Sequence, residues 1–476
     1  MIFSSRILFR SGFKKWFRLV FSVIGCLCVF ALQGCANLPD IEKIIAEKEI
    51  EKPPYIVDSR KPFSPEESQA IIDGFQQQVG PTDILSHHIQ FMETLSGSPL
   101  IAGNKVTLLR DGPETISAMT QAIRNAKDHI HLEVYIFRDD EVGGPLADLL
   151  IEKQAGGVTV RVIYDSIGSI KTPSEFFERM HKAGIELYEF NPFSLMNIGG
   201  PWNFHNRSHR KTLIIDGKIA FTGGINFYHV YAKNPHSASA GTDNGHQLFW
   251  RDTQIKIQGP AAVRFQKLFL ETWSRRQKNS ALNSNLFPCI DLQGDAIIRV
   301  IAGSPEQRIP HIYAAYISAI LNARKSIYIS QAYLIPDENM LDAFSSAVQK
   351  GVDVQIIVPG KSDFWMPFYA GRASYRRLLQ SGVRLHEMKG AVLHSKTAVI
   401  DSVWSMVGSS NMDSLSFLHN TEANAVILDT VFAKKMEAMF IEDLAISEEI
   451  FPAQWDQRPW KNRIKETLAR LFEYWL

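Results

Sequence analysis

HRKTLIID fills residues 209–216 and HSKTAVID fills residues 394–401. The two stretches start 394 − 209 = 185 residues apart and agree at five of eight positions: His, Lys, Thr, Ile and Asp. At ordinary residue frequencies, H-x-K-x-x-x-x-D alone arises by chance in roughly one chain in twenty of this length. Two copies that also share the Thr and Ile read as a duplication.

Working outward, the duplication spreads well beyond the eight letters. AIRNAKDHIHLEVYIF (122–137) matches AILNARKSIYISQAYLI (319–335), an amphipathic helix end running into a β-rich segment. GGVTVRVIYD (156–165) matches KGVDVQIIVPG (350–360), and AGIELYEF (183–190) matches SGVRLHEM (381–388), each a glycine turn into an apolar strand. Each half therefore reads strand, helix, strand, helix, strand, then the H-x-K strand. Alternating strands and helices imply an α/β layered sheet, and two such halves imply a pseudo-symmetric pair. The first half carries a longer insert before its motif, NPFSLMNIGGPWNFHNRS at 191–208.

On a strand, residues i and i+2 share a face, so His209 projects with Lys211 and His394 with Lys396. Asp216 and Asp401 fall at the strand ends, leading into turns. Small-residue turns with an amide follow: GGIN, ending in Asn226, and GSSN, ending in Asn411. Facing one another, two such clusters make a cationic pocket for one phosphate. The lysines and amides would hold the non-bridging oxygens. One imidazole can attack phosphorus while the other protonates the leaving oxygen. A nucleophilic histidine needs its far nitrogen held by an acceptor, and two acids downstream suit that work: Asp252 in WRDT and Glu422 in NTEAN. No HExxH is present, and two lysines beside a cation would repel it, so neither a metal nor another cofactor is expected.

The totals bound the partners. Of 476 residues, Lys+Arg 51 against Asp+Glu 50 leave a net charge of +1, which gives no support to nucleic-acid binding. Residues 1–35 read as a leader: Arg6, Arg10, Lys14, Lys15 and Arg18 precede an uncharged run, LVFSVIGCLCVFAL, which closes on LQGC. LQGC is similar to a bacterial lipobox, which implies Cys35 as a lipidation site; an uncleaved signal anchor with Cys35 incidental is the other reading, and both place the body outside the cytoplasm, membrane-anchored in the cell envelope. Residues 36–80 (KPPYIVDSRKPFSPEES within them) read as a polar, proline-dotted linker. The last stretch, within 451–476, reads as an interfacial helix, the other reading being a helix packed on the body: Ile464, Leu468, Leu471 and Trp475 share a face, with Lys461, Arg463, Lys465 and Arg470 for anionic headgroups. KSDFWMPFY at 361–369 is a second candidate membrane contact, or a pocket wall over acyl chains.

HRKTLIIDGKIAFTGGINF, WRDT, GRASYRRLLQSGVRLHEMKGAVLHSKTAVID and GSSNMDSLSFLHNTEANAVI, with HLEVYIFRDD and VRVIYDSIGS upstream, resemble the phospholipase D superfamily, and most nearly the bacterial cardiolipin synthases. The resemblance spans roughly residues 100–450, with both H-x-K-x4-D motifs intact. It implies two pseudo-symmetric phospholipase D-like α/β domains, 81–290 and 291–450, each with a central mixed sheet flanked by helices. It implies a catalytic set of His209, Lys211, Asp216, His394, Lys396 and Asp401: the histidines are the reacting pair, Lys211 and Lys396 hold the phosphate together with Asn226 and Asn411, and Asp216 and Asp401 are supports. Superfamily practice makes His209 the attacking residue. The implied activity is a phosphatidyl transferase making cardiolipin from two membrane phospholipids through a phosphohistidine; the alternatives are a phospholipase D-type hydrolase and a membrane-tethered nuclease. Phosphatidylglycerol is the implied donor, with phosphatidylethanolamine the other choice, and a monomer is expected. Members typically carry N-terminal transmembrane helices or none, so the lipobox-like leader is a departure.

Overall fold

The computed structural model describes residues 38–47, 54–58, 61–192, 205–235, 249–275 and 286–476. The leader and Cys35, and most of the 191–208 insert, lie outside the described residues.

Among the described residues, fifteen strands lie on one continuous path. In chain order they are β1 (Leu100–Arg110), β2 (His129–Val134), β3 (Thr159–Asp165), β4 (Glu186–Phe190), β5 (Thr212–Ile215), β6 (Ile219–Gly223), β7 (Thr253–Gln258) and β8 (Ala296–Gly303). They continue as β9 (Ser326–Gln331), β10 (Asp353–Pro359), β11 (Arg384–Met388), β12 (Lys396–Ile400), β13 (Trp404–Gly408), β14 (Glu422–Leu428) and β15 (Ser447–Ile450). Across the sheet the order is β15-β11-β10-β9-β12-β13-β14-β8-β1-β7-β6-β5-β2-β3-β4. Ile56–Val57, beside Leu100–Ile101, adds a sixteenth strand. Read outward from the β8–β1 seam, both halves show the same order through three parallel strands, beyond which the second half alone adds β15, antiparallel to β11. The duplication seen in the sequence is thus a duplication of sheet topology. Both motif strands, β5 and β12, are buried on both faces, so they read as TLII and KTAVI rather than as polar–apolar alternation.

The supposed linker is a correction. Helix Ile41–Glu47 and helix Pro65–Val79 are built into the body, and Leu38, Ile41, Ile56 and Ile72 enter its core. Ser64 and Glu67 close a capping box at the second helix, which is the signal that marks it as structure. This segment packs against the second half: Ile84, Ile89, Phe91 and Met92 share a cluster with Ile312, Tyr316 and Trp404. Residues 81–100 therefore contribute to the second core, not to the first domain assigned them from sequence. The apolar residues here are spaced for helices, and the prolines between them mask that period.

The C-terminal helix is also only partly as expected. Ile464, Leu468 and Leu471 are exposed, but Trp475 turns inward and stacks on His419 with ring centroids 5.8 Å apart. The Leu476 carbonyl accepts from the Leu415 amide at 3.0 Å, so the chain end is tied to the loop that leads into β14. No helix among the described residues is long and apolar enough to cross a membrane.

Candidate active site

The histidines stand just before β5 and β12, at the seam where the halves meet. Their backbones are anchored across it: the His209 amide donates to the Thr421 carbonyl at 2.9 Å, and the His394 amide to the Arg251 carbonyl at 2.8 Å. Short parallel pairings, Ser208 with Thr421 and Val392–Leu393 with Trp250–Arg251, repeat this arrangement in mirrored order.

Each imidazole is oriented by the other half. His209 Nδ1 lies 2.9 Å from Glu422 Oε1, and His394 Nδ1 lies 2.7 Å from Asp252 Oδ2. Glu422 and Asp252 are fully buried. A carboxylate at Nδ1 fixes the tautomer with the proton there and leaves Nε2 as the reactive nitrogen. Neither half is complete alone. Sequence reasoning found both acids but not that they cross over, because pairing across the seam is set by tertiary contact and not by spacing.

Each carboxylate has a hydroxyl behind it, supplied differently. Ser409 Oγ donates to Glu422. At the equivalent position the first half has Gly224, where an added Cβ would stand 2.1 Å from Asp252 Oδ1. Tyr231 fills the role instead: its hydroxyl is 3.3 Å from Asp252 Oδ2 and 3.0 Å from His394 Nδ1. The GG/GS difference between the two turns was visible in the sequence, but the tyrosine that compensates for it was not. Tyr135, edge-on to His209 at 5.1 Å and under the Lys211 ammonium, was also missed. Trp250 lies against His394, with centroids 4.9 Å apart.

Burial dominates the electrostatics. It lowers the pKa of His209 and, with Lys396 nearby, takes that of His394 well below the ordinary value, so both rings are neutral in the free site. Burial brings Lys211 down to about 7 and Lys396 to about 8, although Glu422 and Asp252 oppose it in each case. Asp252 rises to about 6 through burial. Burial would raise Glu422 too, but His209, Lys211 and Ser409 leave it below its usual value, so it stays ionised. The lysines are tethered by their own strands, Lys211 Nζ to the His209 carbonyl and Lys396 Nζ to the His394 carbonyl.

Among the described residues Asn411 Oδ1 is buried with no hydrogen-bond partner, whereas Asn226 Oδ1 accepts from the Ile136 amide at 3.0 Å and braces the end of β2. The motif aspartates lie outside the pocket, a correction to their place among the catalytic residues. Both adopt φ 52° beyond the far ends of β5 and β12. Asp216 accepts from the amides of Lys127, Asp128 and His129, and Asp401 from those of Arg324, Lys325 and Ser326 and from the Thr82 hydroxyl. They clamp the loops that enter β2 and β9. Among the described residues, no group of three His, Cys, Asp or Glu is placed to hold a metal ion.

The sequence profile described as "Cardiolipin synthase, PLD-like domain" matches residues 119–234 and 316–444, one block per half. The chain belongs to the cardiolipin synthase family. A cardiolipin synthase of Geobacillus sp. (strain WCH70) is 36% identical over 385 residues, covering 80% of this chain and 74% of the relative. The major cardiolipin synthase of Bacillus subtilis (strain 168) is 35% identical over 391 residues, covering 82% and 77%. The crystal structure of a phosphatidylserine synthase from Haemophilus influenzae Rd KW20 superposes with a TM-score of 0.62 at 14% identity, over 81% of this chain and 98% of that one. That likeness shows a shared fold.

Proposed function

We propose that this chain transfers a phosphatidyl group from one phospholipid to the glycerol headgroup of another, making cardiolipin through a phosphohistidine. The observation that carries the reading is the crossed pair of imidazole–carboxylate contacts between two buried lysines. That arrangement supplies a nucleophile, an acid and cationic charge around one phosphorus. With phosphatidylglycerol as donor, His209 Nε2 forms a bond to phosphorus. The bond from phosphorus to the headgroup glycerol oxygen breaks, and that oxygen takes its proton from His394 Nε2. A hydroxyl of a second phosphatidylglycerol then gives its proton to His394, attacks phosphorus and displaces His209. The products are cardiolipin and free glycerol.

Two features support this division of labour. A phosphorylated imidazole keeps its positive charge until the second step, so it suits the carboxylate that is held ionised, Glu422. A histidine that must repeatedly gain and lose a proton suits the weaker partner, Asp252, shared with the Tyr231 hydroxyl. The anionic phosphodiester would raise both lysines and His394 on binding, restoring the cations and the acid. The deciding experiment gives purified protein phosphatidylglycerol labelled in the phosphatidyl part. Labelled cardiolipin with one glycerol released per turnover is the expected result. Labelled phosphatidic acid as the main product would make the protein a hydrolase.

A further inference from the structure

We infer that helix Trp460–Arg470, its following residue Leu471 and the start of helix Trp365–Gln380 form a bilayer-docking face beside the mouth of the site. The inference rests on the lipid-directed reading above and names the surface that would present that lipid. The terminal helix is amphipathic the wrong way round for a helix packed on a protein. Trp460, Ile464, Leu468 and Leu471 recur at i, i+4, i+8 and i+11, one narrow stripe, yet they are 66%, 48%, 53% and 63% exposed. The face turned to the protein carries Glu466 and Ala469 instead, both buried. Glu466 is fixed there by Arg458 at 2.7 Å and Arg372 at 3.8 Å. Polar bonds therefore hold the helix so that its apolar stripe faces out.

The stripe is continued by a second element. Arg376 meets Asp456 at one end of the pair, Tyr369 meets Lys465 in the middle, and Met366 and Ala370 cluster with Ala469, Phe472 and Leu476 at the other. The two helices thus run antiparallel, which sets exposed Phe364 and Trp365 abreast of Leu468 and Leu471. The preceding residue, Asp363, accepts from the Tyr333 hydroxyl at 2.6 Å, and its charge acts on His394 and Lys396. The patch therefore borders the catalytic pocket. Lys461, Arg463, Lys465 and Arg470 are exposed on the terminal helix, while its one acid, Glu466, is buried. An apolar band edged by tryptophan and cations matches an anionic bilayer surface.

The test uses the full-length protein with vesicles of phosphatidylglycerol brominated in the acyl chains, which quench tryptophan on contact. Trp365→Phe with Trp460→Phe should remove about half or more of the quenched emission, these being the outward indoles of the patch. Ile464→Glu, Leu468→Glu and Leu471→Glu together should lower turnover of vesicle lipid about ten-fold or more. Turnover of a short-chain phosphatidylglycerol below its micelle concentration should remain at the wild-type level, which also reports correct folding. Unchanged quenching in the tryptophan variant overturns the inference, as does full vesicle turnover by the glutamate variant. Loss of self-association with vesicle turnover intact would assign the face to a second copy of the chain and overturn it as well. A wild type that is quenched yet turns over neither lipid would sink the transfer reading while supporting the docking face.

Discussion

Glu422→Gln tests the crossed geometry most finely, because it changes charge and almost nothing else. The side chain is fully buried, held between His209 Nδ1 at 2.9 Å and the Ser409 hydroxyl. The amide keeps the volume and can still accept from His209, but it cannot balance the charge on the imidazole when phosphorus is bound. Replacing a charge-assisted hydrogen bond by a neutral one, with a buried cation left uncompensated, is worth about 3–4 kcal/mol at the transition state. At 1.36 kcal/mol per decade that is a fall of about 10²–10³ in kcat. A second signature follows. Glu422 is among the charges that keep Lys211 and Lys396 protonated against burial. Its removal must shift the basic limb of kcat/KM to lower pH. The assay is phosphatidyl transfer in mixed micelles across pH, with thermal unfolding as the control for folding. The double variant His209→Ala/Glu422→Gln should be no slower than His209→Ala alone, since the two act as a unit. A kcat within about three-fold of wild type, well short of one decade, would refute the reasoning.

Since the lysines must be charged to hold phosphate, and burial sets them at about 7 and about 8, kcat/KM should fall as pH rises through that window. The limb in kcat should lie higher, because bound phosphodiester favours the charged lysines. Tyr231→Phe should slow transfer by about ten-fold, through loss of one hydrogen bond at the His394–Asp252 pair, and steady-state kinetics would check it. Asp401→Ala should cost about 3 kcal/mol in urea unfolding, near 1 kcal/mol for each backbone bond lost, and more than Asp216→Ala, because Asp401 is fully buried. The folded fraction of both variants should keep near-normal kcat. Activity should survive exhaustive EDTA, since Lys211 and Lys396 supply the positive charge; loss on chelation with rescue by one specific divalent ion would show the pocket to be misread.

The repeated eight letters carried most of the fold. Once His209 and His394 were aligned, the glycine-to-strand matches around them followed the real strand order of both halves, because local patterning and sheet position agree there. The same alignment selected the histidines and lysines that share the pocket. It misjudged Asp216 and Asp401, since a motif shows only spacing, and five residues along a strand is enough to leave the site. Residues 36–80 were misread because prolines and charges interrupt short apolar helices whose partners, such as Ile312 and Tyr316, lie far downstream. Tyr231 was not legible at all, and Trp475 was read onto the apolar face of the terminal helix although it stacks on His419. Their roles depend on what the seam and the chain end are folded against, and no periodicity encodes that.

The central claim is that two half-sites make one covalent catalyst, and rapid quenching tests it most directly. Enzyme mixed with phosphatidylglycerol labelled in its phosphatidyl part is stopped within a turnover, digested and mapped. The account predicts label on the peptide carrying His209 and none in His209→Ala, with both alanine variants slowed by about 10³ or more. Label on no histidine, or near-normal turnover in either single variant, would contradict it.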